Sequence, residues 1–219
     1  MGADTRLERA KELYEQAVFG GDRDAPARAE RELDEVEADL ALARGRILHA
    51  RFLQAQAEDP RELALFDRAA ELYRALGDVR GEAEALFWIG TVHQVIHGDN
   101  AAALPLFERS NALAATVEDK MTRSYAVRHL GFVAMSDGRL NDARECLEES
   151  VQLRREIGFL PGVAAGLLAL AELAAEEGRD DDARAALDEA ASVAEGSGAA
   201  GILHWIVEAR TRLNGRPPG

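Results

Sequence analysis

The sequence has little of what several classes of protein require. A single cysteine, Cys146, excludes an internal disulfide and therefore a disulfide-stapled secreted domain. Aromatic surface is limited to two Trp, three Tyr and seven Phe. No window holds the roughly 18 uncharged apolar residues that a membrane helix needs, and residues 1–6 lack the apolar stretch of a signal peptide. We therefore expect a soluble, cytoplasmic protein that does not enter a membrane.

Basic residues are also scarce. The chain of 219 residues has 26 Lys and Arg against 40 Asp and Glu, which gives a formal net charge of -14 at pH 7. Because such a surface repels phosphate backbones and no basic stripe is present, we expect no nucleic-acid partner. A hydrophobic content of 47% suffices for the core of one large domain or two small ones, which excludes a wholly disordered chain.

The spacing of the apolar residues is helical almost throughout. They recur at intervals of three and four, whereas no alternating run bounded by hairpin dipeptides is present. Gly-containing breakers such as Gly138 and Gly178 divide the pattern. The predicted helices span residues 5–19, 26–57, 60–76, 80–97, 101–117, 120–137, 140–157, 161–177, 180–196 and 199–214. We expect Trp205 to close the open end of the core, and Gly215–Gly219 to be a frayed tail.

The second predicted helix is unusually long. One apolar seam continues through Gly45 without a breaker, and it consists of Leu33, Val36, Leu40, Ala43 and Ile47. The face predicted to be exposed carries an acidic run, formed by Glu30, Glu32, Asp34, Glu35, Glu37 and Asp39. This run is typical of solvated surface, with a docking site for a basic partner as the alternative.

Residue types also repeat at intervals near 40. Gly90, Gly131 and Ala171 occupy equivalent small positions, and the equivalent large positions are Phe66, Phe107, Leu147 and Leu187. Three residues after each large position stands a small one, namely Ala69, Ser110, Ser150 and Ala190. This pattern predicts antiparallel helix pairs that cross closely at the small residues. Because one pair cannot bury its apolar face alone, successive pairs should stack into a solenoid.

Two motifs carry a family resemblance. Val127-x-x-Leu130-Gly131-x-x-Ala134, followed by Ala143-x-x-x-Leu147-x-x-Ser150, resembles the tetratricopeptide repeat. Its departures are the missing Tyr at positions 93, 134 and 174, Ala171 in place of Gly, and a period near 40 instead of about 34. These features look like the long-helix variant of bacterial regulators.

The resemblance implies a fold and a domain organisation. The fold is all-α, a right-handed α-solenoid of stacked antiparallel helix pairs. The repeats would span 43–80, 82–119, 123–159 and 163–198. Capping helices would occupy 1–42, and a C-terminal capping helix and tail would occupy 199–219.

In this family the first helix of each pair lines a concave groove. The resemblance therefore implies a ligand-binding set of Phe87, Trp88, Thr91, Gln94, Tyr125, Arg128, His129, Phe132 and Glu172. In the first repeat the same register gives Ala43, Arg46, Ile47, Ala50 and Leu53. Aromatic surface with a few polar groups is typical of a peptide or ligand pocket. Alternatively, Trp88 and Phe132 only seal adjacent helices, and Arg128 either holds a carboxylate or phosphate or pairs with Glu172.

Three functional hypotheses follow. The first is a non-enzymatic module that binds a peptide or partner protein in the groove. The second is a small-molecule sensor or cofactor-independent enzyme in which His129 and Glu172 act as an acid/base pair. The third is self-association as a homodimer through the long helix or the terminal helices. No cofactor is expected, and no metal site is predicted because His93 and His97 lack a third ligand.

Overall fold

The computed structural model describes residues 4–215, and all of the regular structure in that range is helical. The helices are α1 (Thr5–Gly20), α2 (Ala25–Ala55), α3 (Arg61–Leu76), α4 (Val79–Thr91), α5 (Asn100–Thr116), α6 (Lys120–Ser136), α7 (Leu140–Glu156), α8 (Leu160–Glu176), α9 (Asp180–Ser197) and α10 (Ala200–Asn214). The prediction of an all-α chain is confirmed. Of the predicted tail, residues 216–219 lie outside the described range.

The chain divides into two compact units, Met1–Leu113 and Ala114–Gly219. In the first, α2 packs on α1 and α3, and α3 packs on α4. In the second, α6 packs on α7, α7 on α8, α8 on α9, and α9 on α10. The helices therefore pack in sequential pairs within each unit, as the solenoid prediction requires. None of the helices described is both long enough and apolar enough to span a membrane.

Helix ends coincide with the breakers in the sequence. Gly138 and Gly178 adopt the left-handed backbone conformation, with φ of 73° at each, which ends the preceding helix at little steric cost. Asp78 caps the start of α4, where its carboxylate accepts a hydrogen bond from the Gly81 amide. One predicted helix ends differently: after Thr91 the chain continues as a π-helical turn, Val92–Ile96, before α5 begins.

The close crossings lie at the small residues. A Cβ on Gly90 would lie 2.7 Å from Phe107, and one on Gly131 would lie 3.0 Å from Leu147. The repeat predicts both crossings. Gly45 makes the equivalent crossing in α2, where a Cβ would lie 2.5 Å from the Phe66 ring.

The crossing at Gly45 corrects the register of the first repeat. The register that gives Ala43 and Leu53 as inner-face positions predicts residue 49, rather than residue 45, as the small position equivalent to Gly90. The structure moves the small position four residues earlier because α2 extends to Ala55, so that a longer segment separates Gly45 from Phe66 than separates Gly131 from Leu147. The inner-face positions inferred for that repeat shift with it.

The apolar seam of α2 does not face the core. Leu33, Leu40 and Ile47 remain 45%, 47% and 58% exposed. The buried face consists of Ala25, Ala38, Ala41, Leu42, Gly45, Leu48, His49 and Phe52. This face is rich in small residues and therefore allows close approach to neighbouring helices. The seam as a core-facing surface is a wrong interpretation, because periodicity identifies an apolar stripe without identifying what covers it.

Part of the acidic run on α2 is used within the first unit. Asp39 pairs with Arg6 at 2.8 Å, Glu32 with Arg9 at 3.4 Å, and Glu37 with Arg68 at 2.7 Å. These ion pairs connect α2 to α1 and α3. Such exposed pairs contribute little each, roughly 0–1 kcal/mol.

The C-terminal end of the second unit also differs from expectation. Trp205 is 43% exposed and does not close the core. Ile206, Ala209 and Leu213 of α10 fill that position and pack on the cluster formed by α8 and α9. The three residues follow the spacing of three and four that keeps side chains on one helix face, whereas Trp205 lies next to that stripe.

Candidate functional site

All four predicted site residues in the first unit have contacts within that unit. Phe87 is buried, with its ring 6.1 Å from that of Phe107. The buried Thr91 hydroxyl donates a hydrogen bond to the Phe87 carbonyl at 3.0 Å. Gln94, in the π-helical turn, donates through its amide nitrogen to the Asn100 side chain at 3.1 Å. These contacts place Phe87 and Thr91 within the packing of the unit.

Trp88 is the half-buried aromatic residue of this group. Its ring stacks on Phe66 with centroids 5.5 Å apart and an interplanar angle of 10°. His49 lies edge-on at 5.3 Å, and the Arg46 guanidinium lies over the ring at 5.9 Å. The indole nitrogen donates to Glu84 at 3.4 Å. Trp88 therefore packs on neighbouring helices while it keeps an Arg and a carboxylate at its edge.

Beside Trp88 lies a buried polar pair that the sequence analysis did not identify. His49 Nδ1 lies 2.9 Å from Glu62 Oε1, and both side chains are buried. Burial raises the pKa of Glu62, and the interaction with His49 opposes that shift. The other carboxylate oxygen, Oε2, is buried without a hydrogen-bond partner. The pair is an ionisable element within the core of the first unit.

In the second unit, Arg128 of α6 has few polar partners. Its Nη2 donates a long hydrogen bond of 3.5 Å to the Ala165 carbonyl, and its Nε is buried without any partner. The guanidinium lies 4.5 Å from the centroid of the Phe132 ring. Burial lowers the pKa of Arg128 to about 10, although the charges of Glu172 and Tyr125 act in the opposite direction. Arg128 is therefore a charged group that its own chain satisfies incompletely.

A second arginine, which the sequence analysis did not select, lies nearby. Arg154 of α7 is 1% exposed, donates from Nη1 to the Gly162 carbonyl at 2.9 Å and from Nε to Ser124 Oγ at 3.3 Å. Its guanidinium lies 4.9 Å from the Tyr125 ring. Burial, together with the positive charge of Arg128, lowers the pKa of Arg154 to about 9.

The sequence held a signal for Arg154. Leu147, Ser150, Val151 and Arg154 follow the spacing of three, four and seven that marks one helix face, and all four are buried. A positive charge on that stripe has to be desolvated on folding. Within residues 4–215 no carboxylate forms an ion pair with Arg128 or with Arg154, since both bond only to neutral oxygens.

The proposed acid/base residues have different partners. His129 is buried, and its ring meets that of Phe132 edge-on at 5.5 Å. Glu172 of α8 is exposed and accepts a hydrogen bond at 2.8 Å from Arg212 of α10. The catalytic role of His129 and Glu172 stays a prediction.

Glu172 and Arg212 lie at the edge of a cleft of about 540 Å³ in the second unit. Apolar side chains of α6, α8, α9 and α10 line most of its wall, among them Met135, Ala171, Ala175, Leu187 and Leu213. A largely apolar cleft with a few charged lining residues has the composition of a ligand-binding surface.

His93 and His97, the two histidines with metal-ligand spacing, lie close to each other in the first unit. The rings of His93 and His97 lie 5.5 Å apart, and His97 Nε2 lies 3.0 Å from Glu58. Across residues 4–215, no group of three or more His, Cys, Asp or Glu side chains is arranged to hold a metal ion.

Comparison with known proteins bears on the second unit. A family model described as tetratricopeptide repeat matches residues 123–196, which comprise most of α6 and the helices up to α9. Residues 123–196 are therefore similar to tetratricopeptide repeats. Gly131 and Ala171, the small positions of the 40-residue pattern, are both buried and lie within the matched range.

No curated protein matches the chain. Among solved structures, the chain is similar to the crystal structure of nearly identical TPR-like repeats of a Podosopora anserina kinesin light chain. The two share 16% sequence identity, with a TM-score of 0.42, over 90% of this chain and 99% of the other.

Proposed function

We propose that the chain is a binding module for an acidic segment of a partner protein, held by the face of the second unit that carries Tyr125, Arg128, His129 and Phe132. Tetratricopeptide repeats are generally protein–protein interaction modules. The observation that supports the finer proposal is the pair Arg128 and Arg154, which are buried or partly buried next to aromatic rings and lack a carboxylate partner.

The physical argument concerns the missing counter-charge. The two guanidinium groups repel each other, and neutral oxygens satisfy them only in part. Keeping both charged therefore costs the free protein folding free energy. A ligand carboxylate would neutralise this charge and accept charge-assisted hydrogen bonds in an environment that excludes water. Arg128 is the residue suited to direct contact, because Arg154 is enclosed and would act as a positioning charge behind it.

Apolar contact would supply the remaining affinity. The Phe132 ring lies beneath the Arg128 guanidinium, and the cleft that contains Ala171 and Leu187 belongs to the same unit. A peptide with one acidic residue beside apolar side chains has matching chemistry. A net charge of -14 disfavours polyanions as a class, so that one local carboxylate fits better than a nucleic acid.

The test is selection from a random peptide library displayed on phage, followed by affinity measurement on the selected synthetic peptides. We expect the selected peptides to share an Asp, a Glu or a free C-terminal carboxylate. Arg128→Gln should weaken binding of these peptides at least tenfold, which corresponds to about 1.4 kcal/mol. The matched control is Arg155→Gln, which removes an exposed arginine that pairs with Glu189.

Two results would contradict the proposal. One is a set of selected peptides without any common acidic group. The other is equal binding by the Arg128→Gln and wild-type proteins when both retain their helical circular dichroism. Amidation or Asp→Asn substitution of a selected peptide should reproduce the loss seen with Arg128→Gln, and it should add little further loss in that variant.

A further inference from the structure

The exposed face of α2 has the spacing of a coiled-coil seam. The apolar seam of Leu33, Val36, Leu40, Ala43 and Ile47 continues to Ala50 at alternating intervals of three and four residues, and these six residues are called the α2 seam. Such intervals place a and d positions of a heptad repeat on one line. Residues 33–50 span about 26 Å at 1.5 Å per residue, which is the length of several helical turns.

The seam is available on the surface of the molecule. Leu33, Leu40, Ala43, Ile47 and Ala50 are exposed, and Val36 is half-buried. The opposite face of α2 packs in the core of the first unit, so the helix has two apolar stripes of which the core uses one. Three large aliphatic side chains in one line on a surface are typical of an interface.

A cleft accompanies the C-terminal half of the seam. Its volume is about 600 Å³, and its walls are formed by Ala43, Arg44, Ile47, Leu48 and Arg51 of α2 with Arg61, Ala64 and Leu65 of α3. The lining combines five apolar residues with three arginines. An apolar segment with acidic flanking residues would complement it.

The N-terminal half of α2 has that composition. One edge of the seam carries Glu30, Glu37, Arg44 and Arg51 at intervals of seven residues, so its first half is acidic and its second half is basic. Glu30, Arg44 and Arg51 are exposed, and none of the three forms an ion pair within residues 4–215. Glu37 is exposed and contacts Arg68 at 2.7 Å.

We propose that α2 forms a homodimer with the α2 helix of a second copy of this chain, in antiparallel orientation. A two-fold axis between Leu40 and Ala43 places Leu40 opposite Ala43 of the second copy. The same axis places Val36 opposite Ile47 and Leu33 opposite Ala50. Large residues then face smaller ones at two of the three levels, which favours close packing. An interface of this kind is isologous, because each contact occurs twice.

The charges select the antiparallel orientation. The same axis brings Glu30 within two residues of the level of Arg51, and Glu37 within two residues of the level of Arg44. The four contacts along this edge of the dimer therefore join opposite charges. A parallel pair would place the acidic halves beside each other and the basic halves beside each other. Edge charges determine the orientation of helix pairs in this way, although each exposed ion pair adds little stability. This proposal does not depend on the peptide-binding function of the second unit.

The test is sedimentation equilibrium of the full chain over a range of concentrations. The wild-type protein should dimerise reversibly. Arg44→Glu/Arg51→Glu and Glu30→Arg/Glu37→Arg should each weaken dimerisation at least tenfold. An equimolar mixture of these two variants should form a heterodimer, and the chain that carries all four substitutions should dimerise again. The matched control, Arg23→Glu/Arg109→Glu, reverses two exposed arginines elsewhere and should leave dimerisation unchanged.

Orientation is tested separately by cross-linking. In a Cys146→Ser background, a Leu33→Cys chain mixed with an Ala50→Cys chain should form the mixed disulfide in preference to either homodimeric disulfide. Circular dichroism checks that each variant folds. The proposal is overturned if the wild-type chain remains monomeric up to about 1 mM. It is also overturned if neither double reversal weakens the dimer, or if the two Leu33→Cys chains cross-link preferentially. If the α2 seam instead binds a helix of a different protein, the wild-type chain should remain monomeric.

Discussion

Replacing Gly45 by Ala tests the closest helix crossing of the first unit. The added Cβ would lie 2.5 Å from Phe66 Cε1 and 2.8 Å from two further ring carbons, distances that real side chains do not tolerate. Phe66 is fully buried and stacks on Trp88, so its ring cannot move without displacing a second aromatic ring. The helices have to separate instead.

The net effect is the difference between two opposing free energies. Replacing a helical Gly by Ala stabilises a helix by about 1 kcal/mol. Overpacking costs about 1–3 kcal/mol, and the rigid surroundings of Gly45 place this site at the upper end. We therefore expect Gly45→Ala to lower the free energy of unfolding by about 1–2 kcal/mol.

Two other glycines provide matched comparisons. A Cβ on Gly131 would meet the flexible Leu147 side chain at 3.0 Å, so the two terms should cancel to within about 0.5 kcal/mol. Gly196 lies in α9 with nothing within 4 Å of the added Cβ, and Ala there should stabilise the protein by up to about 1 kcal/mol.

Urea denaturation followed by helical circular dichroism measures the three variants. The expected order of stability is Gly196→Ala first, Gly131→Ala second and Gly45→Ala last. If Gly45→Ala is as stable as Gly196→Ala, then Phe66 does not pack on Gly45, and the corrected register of the first repeat is wrong.

Three further results are expected. Folding favours the protonated form of Glu62, so its contribution to stability is present below its ordinary pKa of 4.5 and is lost as pH rises through the raised pKa. Glu62→Gln should therefore gain stability relative to wild type as pH rises through this range. Thermal melts in a pH series measure this difference, and a constant difference would contradict the linkage. Ser110→Ala and Ser150→Ala should each cost about 1 kcal/mol in urea denaturation, because both hydroxyls donate buried hydrogen bonds of 2.7 Å to a backbone carbonyl of the preceding helix; no loss at either site would contradict their equivalence. Arg154→Met removes a buried charge without a carboxylate partner and should change the free energy of unfolding by less than about 1 kcal/mol. Peptides selected on the wild-type protein should bind the Arg154→Met variant more weakly. Unchanged peptide affinity would remove Arg154 from the proposed site.

Most helices follow from local signals in the sequence. Positions such as Gly138 and Gly178 end helices because a residue without a side chain adopts the left-handed conformation there. The 40-residue spacing also predicts the crossings at Gly90 and Gly131, since small residues and their large partners recur in one register. These features depend on neighbours that are close in sequence or repeat regularly.

Features that depend on burial were not predictable in the same way. Arg154 has the spacing of a core position and the chemistry of a surface residue. The structure shows that its side chain is buried, as the spacing alone would predict. Trp205 is the reverse case. Its large apolar ring predicts burial, but its position beside the apolar stripe of α10 leaves it exposed. The π-helical turn Val92–Ile96 has no signal in the apolar spacing.

The two stripes of α2 show how an interaction surface is separated from a core. Both stripes are apolar, so hydrophobicity alone does not rank them. The stripe that contains Gly45 and several alanines permits the close approach that Phe66 requires, whereas Leu33, Leu40 and Ile47 would hold neighbouring helices further apart. Close packing therefore assigns the small stripe to the core and leaves the large one exposed. The charge reversal between Glu37 and Arg44 lies along the exposed stripe, where an antiparallel second copy would complement it.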